Sequence, residues 1–169
     1  MRASSGEKRT KGGIGIESPY PDVRPHPAAL RPTSPANGEV KLHHVGVAVA
    51  DLEPAIELYT SLFGAELTHR ASNEKDGLAA AFLQMGEAEI ELLAPLREDS
   101  PVGKFLAKRG PGMHHVAYAV SDIRKAMADA RSAGLELIDA EPRMGMHGTL
   151  IAFVHPKSVG GVLTEFVET

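Results

Sequence analysis

Cysteine is absent from the chain, which excludes a disulfide framework and any thiolate metal site, so the fold must stand on packing alone. No apolar run approaches the ~20 residues that a helix needs to span a bilayer, and no membrane partner is expected. Positive charge is not in excess either. Eighteen Lys and Arg stand against 22 Asp and Glu, a formal charge of -4, and that balance does not favour nucleic acid or an anionic membrane surface as partner. What is present, 43% hydrophobic and 24% charged residues in a chain of 169, is an ordinary globular composition. It has room for one domain, or for two small modules sharing a core.

Residues 1–39 are a different kind of sequence, with half of the chain's prolines, scattered charges of both signs and no apolar period. They read as a disordered N-terminal extension to a folded domain at 40–169. The extension lacks the apolar core of a secretory signal, and its acids and prolines argue against an amphipathic transit helix, so a cytoplasmic location is expected.

The folded part is written twice. HHVGVAVADLEPAIELYTSLFGAEL begins at His43 and HHVAYAVSDIRKAMADARSAGLEL at His114, one residue shorter. His43 to His114 and Asp51 to Asp122 are both offsets of 71, whereas Gly64 to Gly134 is 70, so one deletion within a helix accounts for the drift. An internal repeat outranks any single-residue signal, and two similar modules in one chain pack across a pseudo-two-fold axis.

Each copy opens with a Val- and Ala-rich strand, reaches an Asp cap, runs through a helix and closes at Gly. In the first helix Ile56, Tyr59, Leu62 and Phe63 form the expected buried stripe. Module one, 41–95, continues with strands near 66–70, 78–85 and 87–95. Module two, 113–168, continues with strands at 135–139, 149–155 and 161–167 and a loop at 141–148. Between them SPVGKFLAKR predicts a linker helix over 100–109, docked on the sheet by Val102, Phe105 and Leu106. Each module is βαβββ, and the fold class is α+β: two four-stranded sheets forming a curved eight-stranded cleft with helices on its outer face.

Period-2 alternation sets the faces. On the first strand His43 goes with Val45, Val47 and Val49 on the helix-covered side, while His44 shares the other side with Gly46 and Ala48. The second module repeats the partition: His114 goes with Val116, Tyr118 and Val120, and His115 with Ala117 and Ala119. Small neighbours leave space in front of each second imidazole. Symmetry then brings His44, Glu91, His115 and Glu165 into the cleft, since Glu91 and Glu165 lie on the last strands of the two modules. Each alone reads more simply as a satisfied or solvated polar residue. The recurrence of the same pair in both halves changes that balance, as does a carboxylate between Leu163 and Val167. Two imidazoles and two carboxylates suit a divalent cation, with Co, Mn, Zn, Ni or Mg all conceivable.

Those residues sit in a succession of motifs, HHVGVAVADL, EIELLAPL, SPVGKFLAKRGPGMHHVAY, MHGTLIAFVHPK and GGVLTEFVE, that resembles the methylmalonyl-CoA epimerase family. That family belongs to the vicinal oxygen chelate superfamily, which also holds glyoxalase I. The resemblance spans the chain after Val40 and implies the same four metal ligands, an acyl-CoA thioester substrate and a homodimer. It also implies a third-strand glutamate acting in acid-base chemistry, and here the chain departs from the pattern, because Ala80 occupies that place.

The implied reaction removes a proton beside a thioester and returns one to the opposite face. Glu165 is assigned to one face; Glu91, metal-bound water or His147 would serve the other. Lys104, Arg143 and Lys157 lie in or beside the family motifs and are candidates, with His147, for contacting the substrate. Rival readings are a glyoxalase I-like isomerase or lyase, a non-heme iron dioxygenase, and a metal-free drug-binding module of the same fold.

Overall fold

The duplication appears as a two-fold relation inside one sheet. In a computed structural model, which describes residues 40–169, the first half comprises β1 (Lys41–Ala48), α1 (Leu52–Phe63), β2 (Glu66–Asn73), β3 (Leu78–Met85) and β4 (Ala88–Pro95). A linker helix α2 (Pro101–Arg109) leads to β5 (Gly112–Val120), α3 (Ile123–Ser132), β6 (Arg143–Met144), β7 (Leu150–Val154) and β8 (Leu163–Glu168). The extension proposed for residues 1–39 lies outside the described residues. The strands order as β2-β3-β4-β1-β5-β8-β7-β6, so the two expected four-stranded sheets join edge to edge into one. The seam is the antiparallel pair β1–β5, flanked on either side by a parallel pair, β1–β4 and β5–β8. Merging removes two open edges that would otherwise face water.

Local chemistry sets the helix limits. Asp51 accepts from the Glu53 N–H and Asp122 from the Lys125 N–H, each satisfying a donor that the first turn leaves without a partner. Gly64 ends α1 at φ 67, a left-handed position that glycine fills without strain.

The sheet has two apolar layers. On its convex side α1 sets Ile56 against Ala81, Leu83 and Leu92, and α3 sets Ile123 and Met127 against Ala152. Burying one such Leu or Ile contributes ~1.5–3 kcal/mol. The stripe expected on α1 is displaced: Ile56 is 7% exposed, but Leu62 is 67% and Phe63 54% exposed. The helix turns Leu52, Ala55, Ile56 and Tyr59 to the sheet and leaves Leu62 and Phe63 outside that cluster. The linker helix does dock as expected, but on the concave side. There Val102 packs with Ala48, Ala80, Phe82 and Leu93, the face that also carries His44 and Glu91.

One predicted strand is broken in two. Leu135–Asp139 forms no ladder, only an isolated bridge from Leu137 to Val154, and pairing resumes within the predicted 141–148 loop as β6. The Phe153 N–H donates to the Asp139 side chain at 2.8 Å. A side-chain oxygen thus takes the place of a backbone acceptor, and Pro142 follows before the ladder restarts.

Candidate metal and active site

Two registered rows of residues cross the concave face. One runs Phe82, Glu91, Gly46, His115 and Leu163 through β3, β4, β1, β5 and β8. The other runs Glu89, His44, Ala117, Glu165 and Phe153 through β4, β1, β5, β8 and β7. The repeat exchanges the rows, His44 for His115, Glu91 for Glu165 and Phe82 for Phe153. Each imidazole stands opposite a small residue of the other half, His44 opposite Ala117 and His115 opposite Gly46. The fit is closest at Gly46, where a Cβ would fall 2.2 Å from His115 Cε1.

These rows bring the four sequence-derived ligands together, all buried. His44 Nε2 lies 3.0 Å from His115 Nε2. Glu91 Oε2 is 3.3 Å from both nitrogens, and Glu165 Oε2 is 3.3 Å from His44 Nε2 and 3.4 Å from His115 Nε2. His44, His115 and Glu165 each offer a ligand atom within 4.8 Å of the others, a group that could hold a metal ion, and Glu91 stands beside the same two nitrogens.

The electrostatics point the same way. Burial lowers the His44 pKa, yet hydrogen bonds with Glu165 and Glu91 outweigh it and leave the group raised to about 9. His115 is likewise raised by Glu165 and Glu91 against its own burial. Burial alone would raise Glu91, but His115 and His44 pull it down to about 2, and the same pair lowers Glu165 against its burial. At Glu165, then, the facing imidazoles outweigh burial. The two carboxylates thus favour positive charge at the point where the Nε2 atoms of His44 and His115 meet 3.0 Å apart, the charge a bound cation would supply.

The first histidine of each pair differs from its sequence reading. Pairing jumps from Leu42 opposite Tyr118 to His44 opposite Ala117, leaving out His43, and from Gly46 opposite His115 to Val47 opposite Met113, leaving out His114. These twin bulges bring successive side chains to one side. His43 Nδ1 is 2.8 Å from His44 Nδ1, and His114 Nδ1 is 3.0 Å from His115 Nδ1. Alternation had assigned both to the helix-covered face. Burial, then the neighbouring charged ring, lowers each of them, His114 to about 4.

The centre opens into a cavity of about 330 Å³ with apolar walls that include Leu78, Leu93, Val102, Ile151 and Phe153. Of the sequence candidates for substrate contact, Arg143 and His147 line it, whereas Lys104 and Lys157 are exposed and stand outside the lining. Arg143 is flanked by Asp139 at 3.2 Å and Asp76 at 3.5 Å. His147 Nε2 is 2.9 Å from Glu89 Oε1, and its ring centroid is 3.7 Å from that of Phe82. Sequence reasoning missed this pair, because 58 residues separate its members. Ala80 is fully buried beneath the linker helix, so the place where the resemblance implies a third-strand acid is packed with hydrocarbon.

Residues 43–153 match the Glyoxalase/Bleomycin resistance protein/Dioxygenase superfamily. The chain belongs to that superfamily. It is 35% identical over 155 residues, 89% of this chain and 88% of the relative, to "Methylmalonyl-CoA epimerase, mitochondrial" of Homo sapiens. The crystal structure of methylmalonyl-CoA epimerase from Mycobacterium tuberculosis superposes with a TM-score of 0.72 at 45% identity, covering 75% of this chain and 86% of that one. A methylmalonyl-CoA epimerase in complex with methylmalonyl-CoA and NH4+ superposes with a TM-score of 0.74 at 40% identity, covering 78% and 96%. Among the described residues, no helix of this superfamily member is long and apolar enough to cross a membrane.

Proposed function

We propose that the chain is a metal-dependent isomerase that interconverts the 2R and 2S forms of methylmalonyl-CoA. The observation that carries this reading is the symmetric placement of Glu91 and Glu165 beside the same two imidazole nitrogens, one carboxylate from each half. A divalent cation held by His44, His115, Glu91 and Glu165 supplies, when bound, Lewis-acid stabilisation of the charge that develops on the thioester oxygen, worth roughly several kcal/mol. The native ion is Co, Mn, Zn, Ni or Mg.

The protein's own groups move the protons. Inversion needs a carrier on each face of the α-carbon, and one carboxylate from each half beside the same two imidazole nitrogens supports Glu165 and Glu91 in those roles. Glu165 as carboxylate takes the α-proton on one face, and Glu91, once protonated from solvent, gives its proton to the other face, leaving Glu165 protonated and Glu91 ionised. The apolar walls keep water from competing for the carbanion. Arg143, at the cavity wall, is the cation for the substrate's carboxylate or phosphate groups, while Lys104 and Lys157 would meet the coenzyme outside it.

His147 is the rival carrier on the second face, because it lines the cavity with Glu89 at 2.9 Å. Deuterium wash-in at the α-carbon of methylmalonyl-CoA separates the two. A variant that has lost one carrier still exchanges one epimer without inverting it. We expect that pattern in Glu91→Gln with His147→Gln near wild type; the reverse pattern transfers the role to His147. Absence of exchange in metal-loaded wild-type protein would remove the epimerase and leave a glyoxalase-like reaction. The family likeness extends the proposal to a homodimer, which a monomer mass in sedimentation equilibrium would remove.

A further inference from the structure

The four ligands leave two histidines beside the centre with no role. We propose that His43 and His114 are positioning residues, each accepting the Nδ1–H of its neighbour so that the Nε2 lone pair of His44 or His115 is held toward the cation. The inference rests on the metal reading above.

Stereochemistry sets the direction of these hydrogen bonds. The nitrogens of His44 and His115 that face each other and the two carboxylates are Nε2 in both cases. A ring that gives its Nε2 lone pair to a cation carries its proton on Nδ1. That Nδ1 lies 2.8 Å from His43 Nδ1 in one half and 3.0 Å from His114 Nδ1 in the other. The outer nitrogen must therefore be a lone-pair acceptor, so His43 and His114 carry their own protons on Nε2. All four tautomers follow from the one requirement that a cation be bound. Metal-ligating histidines need such an outer partner to set ring orientation and basicity.

Both halves arrive at the same contact by the same route. Without the bulges at His43 and His114, strict alternation would turn these rings to the opposite face, 71 residues apart in sequence and equally useless to the centre. Each outer ring is also held from behind. Phe105 of the linker helix meets His114 edge-on with centroids 5.0 Å apart, and His147 meets His43 at 5.6 Å.

Asparagine and leucine separate acceptor from filler, because Asn Oδ1 stands where His Nδ1 stood and Leu fills similar volume with no acceptor. Zinc affinity is measured by competition with a chromophoric chelator for wild type and for the Asn and Leu variants at 43 and 114. We expect His43→Leu and His114→Leu to weaken zinc binding ~10–100-fold and the Asn variants to stay within ~5-fold of wild type. Leu variants that bind as tightly as wild type, or Asn variants that fall as far as Leu, overturn the inference. Long-range 1H–15N spectra of zinc-loaded wild type need no variant to fold. They should show Nδ1–H at His44 and His115 and Nε2–H at His43 and His114, and the opposite assignment refutes the proposal. Wild-type protein that takes up no zinc defeats the metal reading itself, a failure distinct from one confined to the variants.

Discussion

Gly46 shows how little room the centre allows. It occupies an ordinary strand position, yet a Cβ there would enter the His115 ring, so the methyl must displace that imidazole. Gly46→Ala should cost ~1–3 kcal/mol in overpacking and weaken zinc binding ~100-fold or more, since the imidazole it moves is a ligand in the proposed site and not merely a ligand's partner. An unchanged zinc affinity in a competition titration would show that His115 is not where it is needed. The same side chains give the metal-free protein a distinctive response to pH. His44 is raised from 6.5 to about 9, so its protonated form favours folding, a contribution whole below pH 6.5 and lost as pH climbs through about 9. Glu91 is lowered from 4.5 to about 2, so its contribution is present above pH 4.5 and lost as pH falls toward 2. Chelator-treated protein should therefore melt highest between pH 4.5 and 6.5 and lose Tm from 6.5 to 9. Zinc-loaded protein, whose imidazoles are neutral, should lack that alkaline loss. Parallel melts decide, and equal slopes for the two forms would mean that the ion does not replace those protons.

At the scale of elements, α1 and the twin bulges carry the main lessons. A 3.6-residue period correctly identifies a helix at Leu52–Phe63, but Leu62 and Phe63 are exposed while Ile56 lies against Leu83 and Leu92. Ile56→Ala should destabilise by ~2–4 kcal/mol through the cavity it leaves, and Leu62→Ala should stay within ~0.5 kcal/mol. Urea unfolding of both variants checks this, and a cost at Leu62 comparable to that at Ile56 would restore the stripe read from the sequence. The bulges could not be read from spacing, because alternation assumes an unbroken ladder. A His pair at the same place in both copies was the one available signal that the first ring also matters. The split strand near Asp139 has a similar origin, since a side chain that outcompetes a backbone carbonyl leaves no mark in hydrophobic pattern.

For the whole molecule, the decisive fact is that the halves share one sheet through β1–β5. The proposed cation site lies on that seam, where one imidazole and one carboxylate from each half meet. Binding therefore ties the halves together, and metal uptake should raise the Tm of a single cooperative transition instead of separating two. Calorimetry that resolves one transition per half, only one of them zinc-sensitive, would contradict this. Uptake by chelated protein at neutral pH should also release ~1–2 protons as His44 and His115 turn neutral, which titration calorimetry in buffers of different ionisation enthalpy measures.

The sequence by itself determined the duplication, the α+β class, the capped helices and the two His–Glu pairs, because each is written in local periodicity or in the recurrence of a residue type at matching places. Tertiary structure alone decided that the two four-stranded halves fuse, that the linker helix covers the concave face, that His43 and His114 turn inward, and that Glu89 meets His147. Those outcomes depend on hydrogen-bond register between strands distant in the chain and on which surfaces remain to be covered, quantities that no window of neighbouring residues contains.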